Sequence, residues 1–160
     1  YAIGLIAGNL VNVYSDNAGK DGWEKITLAS TIGGMVINTA GVTLAHGMEH
    51  PASGLRDIVH GKGLAALTPA IIEASYTGNE SKFADIAKLF GGKEAKDLAL
   101  KIRELLKSIN LNCTLSDLGI EEKDIPWMAE NCMKVSAASV ANNPVVFTQE
   151  QIADIYKKAL

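Results

Sequence analysis

The sequence contains few aromatic residues and few cysteines, and it has no excess of basic charge. Aromatic side chains make up 6% of the chain and the net charge is −3, so neither stacking platforms nor a basic field is available for nucleic acid. The only two cysteines, Cys113 and Cys132, form no C-x-x-C motif. Two isolated thiols do not make a disulfide framework, and we therefore expect a reducing, cytoplasmic setting.

Targeting and membrane-spanning segments are also missing from the sequence. The opening stretch YAIGLIAGNLVNVYSDN has no basic leader and no cleavage-type site, which argues against a signal peptide. Its apolar run is too short and too often interrupted to cross a bilayer, so no membrane partner is expected. The stretch has helical spacing from its first residues and no initiating Met, which indicates that the chain is part of a longer polypeptide.

The sequence has helical periodicity along nearly its whole length. Apolar residues make up 48% of the 160 residues, which is enough for the core of one domain. Apolar positions recur every three or four residues, and no convincing alternating strand occurs. The pattern predicts an all-α, bundle-like domain over residues 1–160, with about seven or eight helices.

A few residues predict where individual helices begin and end. Pro51 is expected to end a helix near His50, because proline fits poorly in a helix interior, and residues 51–59 would then form a loop. Ser81 is the candidate N-cap of a later amphipathic helix. A capping box beginning at Thr148 predicts the start of the terminal helix.

The three histidines of the chain all lie in one short window. His46 and His50 are four residues apart, so a helix would place both imidazoles on one face. His60 follows a Pro- and Gly-containing segment that could return the chain to the same region. Neutral imidazole is a good ligand for zinc, iron or nickel, although such a pair can also be purely structural. Glu49 and Asp57 are nearby, but we expect both to be exposed charges.

The order of residues around the histidines resembles the metal-binding segment of the iron-containing (group III) alcohol dehydrogenases. The resemblance is carried by HGMEHP at residues 46–51 and by HGKGLA at residues 60–65. The segments KFADIAKLFG, LSDLGIEEKDIPWMAE and NNPVVFTQEQIADIYKKAL are also similar to the family. The resemblance implies the all-helical C-terminal domain of the iron-containing alcohol dehydrogenase / dehydroquinate synthase-like fold.

The resemblance also implies a role for each histidine. In the family, the first and third histidines of this segment ligate a divalent metal, which assigns metal ligation to His46 and His60. The middle histidine lies beside the nicotinamide and the substrate, which assigns a catalytic and cofactor-contacting role to His50. The implied reaction is hydride transfer between a small alcohol or aldehyde and NAD or NADP, with iron, or sometimes zinc, as the metal.

The resemblance leaves part of the family machinery outside residues 1–160. The family binds its nicotinamide cofactor through an N-terminal α/β domain, and no glycine-rich phosphate cradle occurs here. Its other two metal ligands, an Asp and a His, also belong upstream. We therefore expect weak metal binding and no dehydrogenase turnover from this chain alone, and self-association through a bare face would be compatible with the pattern.

Departures from the family pattern leave the histidines unchanged. Thr43 stands where the family often has Gly, Val59 where it has Pro, and Leu64 where it has Asn. These positions bear on substrate preference and on the shape of the loop. Two other readings stay open: a stand-alone helical binding or assembly module that retains the histidines, and a helical metal sensor or storage protein, which would need further ligands.

Overall fold

The computed structural model describes all 160 residues and contains α-helices, two short 3-10 turns and no strand. The all-α prediction is confirmed, and eight of the nine helices have ten residues or more. The helices are α1 (Ala2–Tyr14), α2 (Gly19–Ala40), α3 (Leu44–Arg56), α4 (His60–Ser75), α5 (Glu80–Leu89), α6 (Asp97–Ser108), α7 (Ile125–Val135), α8 (Ala137–Ala141) and α9 (Gln149–Ala159).

The hydrophobic core lies where α3, α4, α7 and α9 meet. It contains 19 buried apolar residues, among them Met48 of α3, Leu67 of α4, Met128 of α7 and Ile152 of α9. Each of these helices buries one apolar stripe against the others, which is how most helices gain their stability in proteins. The core therefore fixes α3 and α4, the two helices that carry the histidines, relative to each other.

The α1–α2 hairpin lies at the edge of this core. Only Gly22 and Ala29 of α2 are buried, and Met35, Val36 and Ile37 are exposed. No single helix is both long and apolar enough to cross a bilayer; α2 and α3 satisfy that test only as a pair bent by 100°. Self-association through a bare face of the domain stays a prediction.

The prediction that Pro51 ends a helix is wrong. Helix α3 continues through Pro51 to Arg56, so only residues 57–59 connect it to α4. A proline inside a helix removes one backbone hydrogen bond, here the one to the carbonyl of residue 47, and crowds that carbonyl. Pro51 and Ala52 are both buried, Ala52 within the hydrophobic core, and this burial outweighs the local preference.

The helix ends show one wrong prediction and one confirmed prediction. The N-cap of α5 is Asn79, whose side chain accepts a hydrogen bond from the backbone N–H of Lys82 at 3.2 Å, and Ser81 lies within the helix. The preceding 3-10 turn shifts the start of α5, which the sequence pattern did not reveal. The capping box at the start of α9 is confirmed, because the side chain of Thr148 accepts from the N–H of Gln151 and the reverse bond is also made.

Candidate metal centre

Helix α3, which carries two of the three histidines, is held at both ends and in the middle. Asn142 donates to the carbonyl oxygens of Ala40 and Val42, at 3.0 and 3.1 Å, just before α3 begins. In the middle, the hydroxyl of Tyr156 donates to the carbonyl of Met48 at 2.5 Å. These contacts give α3 a fixed position in the fold.

The far end of α3 is clamped by Arg56. Its guanidinium donates to the carbonyl of Gly119 at 2.8 Å and to the carboxylate of Asp124 at 2.6 Å. Such charge-assisted hydrogen bonds are among the stronger ones in proteins. They hold the last turn of α3 just before the chain reverses toward His60.

A glycine allows α3 to approach α8 closely beside the first histidine. A Cβ added at Gly47 would lie 3.1 Å from Cβ of Ser136 and 3.3 Å from Cβ of Ser139. These distances are shorter than nearly all Cβ contacts in proteins, so a larger residue would press the helices apart. The glycine of the H-G-M segment therefore serves the packing of the helix that carries His46.

The turn after α3 brings the three imidazoles together. Asp57 adopts the left-handed conformation with φ of 51°, and its backbone N–H bonds to the carbonyl of Ser53 at 2.8 Å. The ring centroids of His46 and His60 are 5.2 Å apart, those of His50 and His60 5.9 Å, and those of His46 and His50 6.2 Å. All three histidines singled out in the sequence thus form one cluster.

Glu49 lies beneath this cluster, and the prediction that it is an exposed charge is wrong. Its side chain is 0% exposed, whereas Asp57 is exposed as expected. One carboxylate oxygen accepts a hydrogen bond from the hydroxyl of Ser53, and the other is in contact with Nδ1 of His60. The buried carboxylate is therefore enclosed by groups from α3 and from the start of α4.

The local electrostatics favour the neutral form of His46. Burial lowers the pKa of His46 below its ordinary value, and the positive charges that His60 and His50 could carry lower it further. The carboxylate of Glu49 opposes this shift with a smaller effect. A neutral imidazole offers a lone pair, which is the form that binds a metal.

The donor set fits a first-row divalent metal. Ligand atoms of Glu49, His50 and His60 lie within 4.8 Å of one another. The ring of His46 lies beside this set, with its centroid 5.2 Å from that of His60, but its nitrogens are not part of the set. Imidazole and carboxylate groups suit iron and zinc. The side chain of His60 is 50% exposed, so the cluster opens outward from its buried carboxylate floor.

Comparison with known proteins defines the family of this chain. The sequence model described as "Fe-containing alcohol dehydrogenase family, C-terminal" matches residues 1–160. The chain belongs to the iron-containing alcohol dehydrogenase family. This confirms the family expected from the histidine segment and assigns the helical domain to the C-terminal part of that fold.

Several curated relatives are alcohol-converting enzymes. The chain is 36% identical to 1,3-propanediol dehydrogenase of Klebsiella pneumoniae over 99% of its length, and it spans 42% of that protein. It is 30% identical to alcohol dehydrogenase 4 of Saccharomyces cerevisiae and to lactaldehyde reductase of Escherichia coli, and it again spans 42% of each. The chain thus spans less than half the length of these relatives.

Solved structures show the same fold. The structure of a 1,3-propanediol oxidoreductase superimposes with a TM-score of 0.89 at 35% identity, over 99% of this chain and 43% of that one. An archaeal halo-thermophilic alcohol dehydrogenase from a Red Sea brine pool gives a TM-score of 0.90 at 30% identity, over the same shares of both chains.

Sequence reasoning missed three residues that shape the cluster: Glu49, Ser53 and Gly63. A Cβ on Gly63 would lie 2.7 Å from Oε1 of Glu49, so only glycine leaves room for the carboxylate there. The sequence spacing did contain a signal: Ser53 follows Glu49 by one helical turn and Gly63 follows His60 by three residues, so each pair shares one face of its helix. The contact between the two helices was needed to show that these positions meet.

Proposed function

We propose that this chain forms the metal-binding, catalytic part of an NAD(P)-linked alcohol dehydrogenase, with His46 and His60 as metal ligands. The observation that carries the proposal is the convergence of three imidazoles, 5.2 to 6.2 Å apart, in a member of the iron-containing alcohol dehydrogenase family. The lowered pKa of His46 supports its role as a neutral ligand. Iron is the proposed metal, and zinc is the alternative with the same ligand preference.

In the proposed mechanism, the residues of this chain bind the metal and move a proton. A bound divalent cation supplies Lewis-acid chemistry, which makes the hydroxyl of an alcohol more acidic. His46 and His60 would hold the cation, and His50 would be the residue on the nicotinamide side. His50 is exposed, so its imidazole can accept the proton released by the substrate and pass it to solvent.

The substrate class follows from the relatives. Their names include 1,3-propanediol dehydrogenase and lactaldehyde reductase, so we propose a small alcohol and its aldehyde as the substrate pair. The phosphates of NAD or NADP would be bound by a nucleotide-binding domain outside residues 1–160. Two features support this placement: these residues form no strand, and they contain no glycine-rich phosphate turn.

The experiment is a Zn²⁺ titration of the chain by calorimetry, with zinc used because it is not oxidised in air. His46→Ala and His60→Ala should each lower the affinity by more than the roughly 10–100-fold that loss of an outer-shell partner costs. His50→Ala should retain the metal, although a nitrogen of His50 also lies within ligand distance of Glu49 and His60. Glu73→Gln, which removes an exposed carboxylate outside the cluster, serves as the matched control. The chain alone should not reduce NAD or NADP with 1,3-propanediol.

Two results would contradict the proposal. Zinc affinity that is unchanged in both His46→Ala and His60→Ala would remove these residues from the ligand set. A wild-type chain that binds no zinc would favour a helical module that merely retains the histidines.

A further inference from the structure

We propose that Glu49 is the positioning residue of the metal site, holding the ring of His60 so that Nε2 presents its lone pair outward to the cation. This inference rests on the proposed function, because it assigns His60 as a ligand. The observation behind it is the contact between Oε2 of the buried Glu49 and Nδ1 of His60, which joins α3 to the first residue of α4.

The surroundings of Glu49 contain no permanently charged cation, because its partner His60 is cationic only when its ring is protonated. Its partners are the hydroxyl of Ser53 and the ring of His60, and neither a lysine nor an arginine forms an ion pair with it. A buried carboxylate is costly to keep without a full positive charge beside it. Replacement of buried charged groups by apolar residues is often neutral or stabilising, which favours a role for Glu49 other than stability.

The fold is shaped around this carboxylate. Gly63 lies three residues after His60, on the same side of α4, and a Cβ there would be 2.7 Å from Oε1 and 2.8 Å from Cγ of Glu49. Ser53 lies one turn after Glu49 in α3, and its hydroxyl is also 3.0 Å from the carbonyl of Ile58 in the turn. Residues on both sides of the turn therefore fix the position of the carboxylate.

The contact sets the tautomer of His60. A carboxylate accepts hydrogen bonds, so Nδ1 of a neutral His60 must carry the proton and Nε2 must be the unprotonated nitrogen. A carboxylate that accepts a hydrogen bond from the other ring nitrogen fixes the orientation of a metal-binding histidine and makes the metal-binding nitrogen more basic. The side chain of His60 is half exposed, and its hydrogen bond in the fold involves Nδ1, which leaves Nε2 for a cation.

The same geometry argues against Glu49 as a direct ligand. Its two oxygens already contact Ser53 and His60, and the side chain is fully buried below the rings. Its oxygens are close enough to the nitrogens of His50 and His60 to make direct ligation the natural rival. The two roles differ in the loss of affinity that each predicts, which makes them separable by experiment.

The test combines two measurements on the wild-type chain and on Glu49→Gln. Long-range ¹H–¹⁵N NMR of the histidine rings at about pH 8.5, above the ordinary histidine pKa, reports each tautomer without any metal. We expect His60 to be protonated at Nδ1 in the wild type and to shift toward the Nε2-protonated form in Glu49→Gln. Calorimetric Zn²⁺ titration should show about a 10–100-fold loss of affinity in this variant, smaller than the loss in His60→Ala.

Two further variants act as a control and as a second route to the same effect. Glu73 is also in α4, and its exposed carboxylate pairs with Arg103 of α6. Glu73→Gln removes this carboxylate and should change neither the tautomer of His60 nor the zinc affinity. Gly63→Ala displaces the carboxylate of Glu49 without removing its charge, and it should reproduce both changes. It keeps the proposal testable if Glu49→Gln folds poorly.

The possible outcomes separate this inference from the proposed function. A wild-type His60 protonated at Nε2, or an unchanged zinc affinity in Glu49→Gln, overturns the positioning role while leaving the metal site in place. A loss as large as that of His60→Ala also overturns it, because Glu49 would then be a ligand itself. If the wild type binds no zinc, both this inference and the proposed function fail.

Discussion

The hydrogen bond from Tyr156 to Met48 gives a direct measure of how α9 holds the histidine-bearing helix. Tyr156 is fully buried, and its hydroxyl donates to the carbonyl of Met48 at 2.5 Å. Burial also raises the pKa of Tyr156, so the hydroxyl stays protonated and remains a donor throughout the neutral range. The substitution Tyr156→Phe removes this donor and keeps the ring in the core.

The expected cost follows from the size of one intramolecular hydrogen bond. The net contribution of such a bond to stability is about 1 kcal/mol, and the phenyl ring of Tyr156→Phe leaves no new buried polar atom on α9. For a chain of this length, that loss corresponds to roughly 2–4 °C in Tm. The zinc affinity should stay unchanged, because Asn142 and Arg56 still hold the two ends of α3.

The assay is urea unfolding followed by circular dichroism, with Tyr14→Phe as the matched control. Tyr14 is 51% exposed and its hydroxyl accepts a bond from Asn110 at 3.0 Å, so its loss should change the free energy of unfolding by less than about 0.5 kcal/mol. Equal free energies of unfolding in the two variants would refute the view that the buried hydroxyl anchors α3.

Three further predictions test the packing, the helix start and the ionisation of this fold by the same unfolding assay. Gly78→Ala should destabilise by about 1–3 kcal/mol, because its Cβ would lie 2.5 Å from the carbonyl oxygen of Pro144, whereas Gly33→Ala meets open space inside a helix and should stabilise by up to about 1 kcal/mol. Thr148→Ala should cost about 1 kcal/mol through loss of the α9 cap, and an unchanged stability would contradict the capping role. Burial raises the pKa of Cys132 from 9.0 to about 11, so between these pH values the folded state keeps a proton that the unfolded thiol loses. The free energy of unfolding should therefore fall as the pH rises from 9 to 11, and this fall should be smaller in Cys132→Ala.

The helical fold and the meeting of the histidines could be predicted because they depend on local spacing. The i, i+4 relation of His46 and His50 determines a shared helix face wherever the helix lies. His60 reaches the same place because the link between α3 and α4 is only residues 57–59, even shorter than the loop that the sequence suggested. The prediction therefore succeeded although the expected loop boundary at Pro51 was wrong.

The fate of Pro51 could not be predicted because a local preference competes there with tertiary packing. Local sequence rules weigh the hydrogen bond that proline cannot make, and that loss favours a helix end. They do not include the apolar area that Pro51 and Ala52 bury, which depends on the helices packed around α3. The N-cap of α5 differs for a related reason, since the 3-10 turn before Asn79 sets where that helix begins.

The burial of Glu49 is the part of the site that sequence patterns are least able to predict. A lone glutamate in a helix is usually exposed, and for this reason the sequence predicted an exposed Glu49. Yet Glu49 is three residues from His46 and four from Ser53, so all three share one face of α3. Once that face is assigned to a metal, a carboxylate on it becomes either a ligand or a partner for one. The spacing of the histidines therefore also indicates that Glu49 and Ser53 lie near the site. That indication becomes usable only once the face of α3 that meets α4 is known.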